Sequence, residues 1–68
     1  MKRGIVKSLN ENGNGCIETI MGKQYKFHIN TIEPNERHKI HVDGTVEFEV
    51  FTVLGHPVPL HIRVVNGA

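Results

Sequence analysis

Aromatic side chains are scarce: the 68-residue chain has no tryptophan, one tyrosine and three phenylalanines. Cysteine is nearly absent too, and the single Cys16 excludes an intrachain disulfide. A secreted domain of this size ordinarily needs such staples, so the composition predicts a reducing cytoplasm. Net charge is only +1, too small to argue for a polyanionic partner by itself. No apolar run approaches the roughly 18 residues of a membrane-spanning helix. The start, Met1 to Lys7, is basic without the apolar stretch of a signal peptide. We therefore expect a soluble, untargeted protein with no membrane partner. No sustained 3.6-residue periodicity, internal repeat or low-complexity segment appears, which leaves no support for a helical fold. Phosphate-cradling loops, paired catalytic acids and zinc-finger spacings are missing as well.

What is present is a strand pattern. Thr45 to Val50 alternates strictly, with Val46, Phe48 and Val50 on one face and Thr45, Glu47 and Glu49 on the other. The same period sets Leu60, Ile62 and Val64 against His61, Arg63 and Val65, and Tyr25 and Phe27 against Lys26 and His28. Turn residues cluster at 10–13, 21–22 and 54–57. Five strands follow, near 3–10, 14–20, 23–29, 44–52 and 58–66. Pro34 and Asn35 make 30–43 a loop, plugged by Ile32. A chain this short forms one domain, 1–68. Five short antiparallel strands with one long link fit an all-β fold, a small Greek-key barrel of the OB type. The expected core is Val6, Ile17, Tyr25, Phe27, Ile32, Val46, Phe48, Val50, Leu60, Ile62 and Val64. Val6 and Ser8 share parity, so the first strand needs a bend or bulge if one is buried and the other exposed.

Charge is distributed unevenly. Residues 1–30 carry Lys2, Arg3, Lys7, Lys23 and Lys26 against Glu11 and Glu18, a net of +3, while the remainder sums to −2. Five histidines add positive charge below about pH 6.5. The basic half also holds two short segments, Gly13-Asn14-Gly15-Cys16-Ile17 and Tyr25-Lys26-Phe27-His28-Ile29, preceded by Val6-Lys7-Ser8-Leu9-Asn10. With Gly44 to Val50 and Ile62 to Val65, these stand in the order and approximate spacing of the bacterial cold-shock proteins, which the chain resembles over nearly its whole length. In that family the three patches read roughly Val-Lys-Trp-Phe-Asn, Lys-Gly-Phe-Gly-Phe-Ile and Val-Phe-Val-His-Phe, the last two being its RNP motifs.

The resemblance implies that single-stranded RNA or DNA lies across strands 1 to 3, its bases stacked on exposed rings. Transferred by position, the surface comprises Lys7, Ser8, Leu9, Asn10, Asn14, Cys16, Lys26, His28 and Ile29. Ser8, Asn14, Cys16, Lys26 and Ile29 stand where rings are expected. At ~1 kcal/mol each, losing four or five rings removes roughly 4–5 kcal/mol, about three powers of ten in affinity. Lys7, Lys26, Lys23 and Arg3 can partly compensate through phosphate contacts, and Asn14 can hydrogen-bond a base edge. The expected function is thus single-stranded nucleic-acid binding, as an RNA chaperone or regulator, that is weaker and more salt-sensitive than a ring-based one.

The alternative is an OB-type barrel whose former nucleic-acid face meets a protein partner or a second copy, since fold alone does not decide function. An enzyme is not expected. Cys16 and His28 can share a face, but no third residue or oxyanion donor completes a nucleophile site. His38-x-x-His41 lies in the long loop, where a metal would need further ligands such as His28 or Cys16; solvated loop histidines are the expectation, with no metal site and no cofactor.

Overall fold

The computed structural model describes residues 1–65 and is built from five antiparallel strands. These are β1 (Lys2–Leu9), β2 (Asn14–Thr19), β3 (Gln24–His28), β4 (Thr45–Val53) and β5 (His56–Val64). They form a single sheet in the order β3-β2-β1-β4-β5. No helix is long and apolar enough to cross a membrane among the described residues. The end of the fifth expected strand, residue 66, lies outside those residues.

One face of the sheet buries Val6, Ile17, Tyr25, Phe27, Val46, Phe48 and Ile62. Each such side chain fully removed from water contributes about 1.5–3 kcal/mol. Tyr25 and Phe48 meet edge to face at 5.4 Å between ring centroids. Val50 and Val64 pack against this core from half-buried positions.

The parity conflict in β1 is resolved by a bulge. Val6 pairs with Ile17 but Ser8 pairs with Cys16, so Lys7 is an extra residue on β1. Before the bulge Val6 points inward, and after it Ser8 points out, because one inserted residue exchanges the faces. Gly44 and Asp43 lock the same place from the other side: Val6 N–H donates to Gly44 O at 2.9 Å and Asp43 N–H to Val6 O at 2.7 Å.

Two expectations are corrected. Leu60 was placed in the core by unbroken alternation, yet it is half-buried and Pro59 is fully buried instead. Glu47 pairs with Arg63 and Glu49 with Leu60, so two residues of β5, His61 and Ile62, oppose Phe48. His61 sits at φ 54, the left-handed conformation that lets a bulge turn the chain, and the face changes there. The 30–43 loop has two plugs, since Ile40 is buried beside Ile32. Two 3₁₀ turns, Ile29–Thr31 and Arg37–Lys39, supply its local structure, and Arg37 ties it together by donating to Ile32 O and Asn30 O.

Of the expected barrel, the structure shows the five-stranded antiparallel sheet. β3 and β5 approach within 8 Å at their Cα atoms, but no ladder joins them, and the sheet is not closed. β3 has only five residues, and β5 carries Pro57 and Pro59, which shortens the run of donors a closing ladder would use.

The outer face carries a cross-strand ion pair, Arg3 to Glu47 at 2.7 Å, linking β1 to β4. The guanidinium hydrogen bond holds the Glu47 carboxyl below its ordinary 4.5. A lowered carboxylate value means that this contribution is complete above pH 4.5 and is lost as pH falls through the folded-state value. Urea unfolding between pH 3 and 6 is therefore expected to show a shallower acid loss for Glu47→Gln than for the parent. Equal slopes would show that the exposed pair contributes nothing.

Candidate nucleic-acid interface

Register aligns the outward residues of the first three strands into rows. Ser8 of β1 pairs with Cys16 of β2, and Cys16 pairs with Lys26 of β3, giving one row across the sheet. Two residues along, Asn14 pairs with His28 on the same face. Between these rows, the inward row is Leu9, Gly15 and Phe27. Neighbouring strands lie about 4.8 Å apart, so the three-residue row spans roughly 10 Å.

Ser8, Asn10, Asn14, Gly15, Cys16, Lys26 and Phe27 line one open depression of about 370 Å³. Five of the nine residues expected from sequence thus come together. Lys7, displaced by the bulge, lines a neighbouring, more apolar depression with Ile5, Glu18 and Ile20. Leu9 and Ile29 are half-buried and pack against the core, so they support the surface from beneath.

Two of the expected residues build the loop between β1 and β2. Asn10 Oδ1 accepts the N–H groups of Asn12 and Asn14, both at 3.0 Å, folding the loop around its own side chain. Among the described residues the Asn10 amide NH₂ makes no hydrogen bond. His28 Nδ1 accepts the Asn30 N–H at 3.0 Å, which assigns the proton to Nε2, and Nε2 lies 3.0 Å from Asn12 O, to which it donates. Ile29 N–H also donates to Gly13 O at 2.7 Å. The imidazole is therefore a clamp holding the β1–β2 loop on the end of β3, with its ring orientation fixed.

The cations of the basic half divide. Arg3 is committed to Glu47, and Lys23 lies 5.5 Å from the centre of the Tyr25 ring. Lys7 and Lys26 are exposed, and neither takes part in a salt bridge among the described residues. No phenylalanine or tyrosine ring is exposed beside them: Tyr25, Phe27 and Phe48 are buried, and Phe51 lies on the β4–β5 hairpin. Cys16 is half-buried, with its Sγ 3.9 Å from Ile17 O. No group of three or more metal-ligating side chains is gathered among the described residues. The face offers hydroxyl, amide and ammonium groups on an open, slightly hollow sheet, which suits phosphates and base edges better than base faces.

No family model matches the chain, and no curated protein matches it.

Proposed function

We propose that the five strands are an open form of the Greek-key OB-type barrel, similar to the cold-shock domain. Its β1–β3 face, on this reading, binds single-stranded RNA or DNA by charge and hydrogen bonding. The observation that carries this reading is the row Ser8-Cys16-Lys26, flanked by Asn14 and Asn10 in one depression. The strand order, with β3 and β5 approaching at the seam, supports the barrel reading. Lys26 and Lys7 contact phosphates, while Asn14 and the Asn10 amide meet base edges. Binding is reversible and involves no covalent chemistry. It works by mass action, trapping unpaired segments and shifting RNA or DNA away from base-paired structure. The lone free Cys16 fits action in a reducing cytoplasm.

Titration of fluorescent oligo-dT and oligo-rU at several salt concentrations tests the proposal. With Lys7 and Lys26 as the two phosphate contacts, log K falls with log salt at a slope of about −1.4. Lys26→Gln weakens binding several-fold and reduces the slope by about 0.7. No binding by tens of micromolar protein at low salt would reject the reading and leave this face to a protein partner.

A further inference from the structure

β4 and β5 continue as a two-stranded ribbon past the end of β1, whose pairing stops at Lys2 opposite Phe48 while β4 runs to Val53. The ribbon closes through Leu54 and Gly55, at φ 51 and 81, a two-residue turn with both central residues left-handed. In such a hairpin the closing pair, Val53 and His56, exchanges hydrogen bonds, and the pairs then alternate. Phe51 and Val53 consequently direct their backbone groups to β5, whereas Val50 and Thr52 direct theirs away from it. The corresponding outward positions on β5 are Pro57 and Pro59, opposite Thr52 and Val50. Proline has no N–H, so the β5 edge is closed to a further strand there. Among the described residues no strand pairs with the outward β4 edge beyond Phe48.

Exposed strand edges are usually guarded by charge, yet no Asp, Glu, Lys or Arg occurs from Val50 to Ile62. Leu54 is 93% exposed in a left-handed conformation that asparagine or glycine would adopt at lower cost, and Phe51 is 43% exposed. An apolar side chain retained at a strained, solvated turn points to a contact made with another molecule.

We propose that this chain self-associates by antiparallel pairing of β4 with β4 of a second copy, about a two-fold axis at Phe51. That register sets Val50 opposite Thr52 of the second copy, and Thr52 opposite its Val50, so the outward N–H and C=O groups satisfy one another. Phe51 lies beside its counterpart on the same face. Glu49 faces Val53 of the second copy rather than another Glu49, which avoids like-charge apposition. A charged peptide finds no counter-charge on this edge, whereas the chain's own uncharged segment is self-complementary under two-fold symmetry. The surface is separate from the β1–β3 face.

Sedimentation velocity at micromolar and millimolar protein, with amide exchange at both, tests this assignment. The expected result is a concentration-dependent dimer in which the Val50 and Thr52 amides exchange at least about tenfold more slowly at the higher concentration. The Phe51 and Val53 amides, bonded to β5, are expected to exchange alike at both. Thr52→Pro removes an outward N–H and is expected to give a folded monomer. A monomer at millimolar concentration, or a dimer without selective protection of Val50 and Thr52, overturns the proposal. A folded Thr52→Pro protein that still dimerises overturns it as well.

Discussion

Placing rings back on the central row, as Ser8→Trp with Cys16→Phe, tightens binding to oligo-dT by at least about 30-fold. Ser8 and Cys16 are cross-strand partners on the outward face, so two rings there lie side by side at the spacing of adjacent strands. Each stacked base contributes about 1–3 kcal/mol, giving roughly 2–6 kcal/mol for the pair. Both lysines are left in place. Stacking releases no counterions, so the log K against log salt line rises without changing slope. That parallel displacement distinguishes stacking from a general rise in stickiness, which would also raise affinity for double-stranded DNA. Fluorescence titration at three or more salt concentrations measures both quantities. An affinity within about threefold of the parent would mean that bases do not cross this row.

The reason to expect so large a gain lies in what the parent face already supplies. Its row geometry, open hollow and two exposed lysines are present, and only the flat surfaces are missing. Adding rings to such a frame incurs little further ordering cost, because β1 to β3 are held by ladders on both sides of β2. Lys26→Phe is a weaker test, since it exchanges the proposed phosphate contact for a ring and changes slope and intercept together.

Legibility in the sequence followed the locality of the interactions. Alternation revealed β3, β4 and β5, because a half-buried strand repeats every two residues whatever its partners are, while turn residues at 10–13 and 21–22 bounded β1 and β2. The β1 bulge was legible for the same reason, as Val6 and Ser8 could not otherwise face opposite ways. The β5 bulge was not. Leu60, Ile62 and Val64 alternate without a break, and the residue that shifts the register, His61, carries no glycine-like signal. Ile40 was missed because a lone apolar residue among polar neighbours has no period to mark it.

The candidate site divides along the same line. Motif position grouped Ser8, Cys16 and Lys26, which the register sets in one row, whereas the work of Asn10 and His28 on the loop was hidden. Their partners are backbone atoms of Asn12, Asn14 and Asn30, and a backbone carbonyl or amide leaves no trace in residue type. Arg3 was counted with the free cations because its partner, Glu47, lies 44 positions away.

Gly15→Ala lowers stability by about 2–3 kcal/mol and the melting temperature by roughly 10–20 °C. Gly15 is buried in the inward row, with Leu9 on one side and Phe27 on the other. A Cβ there would stand 2.6 Å from Phe27 Cζ, 2.7 Å from Cε1 and 2.8 Å from Ser8 O. The ring is held in the core, and the carbonyl belongs to the β1 backbone, so neither gives way cheaply. A domain of this size rarely has more than about 3–5 kcal/mol in reserve, so one methyl group consumes much of the margin. Binding should fall with stability, since Gly15 lies between Asn14 and Cys16, and relieving the clash rotates both. Phe27→Leu in the same chain opens space beside the methyl and should recover about 1 kcal/mol beyond additivity, which a double-mutant cycle of urea midpoints measures. Loss of less than about 0.5 kcal/mol in Gly15→Ala would show that β2 and Phe27 do not approach so closely, and the outward row drawn over them would have to be redrawn.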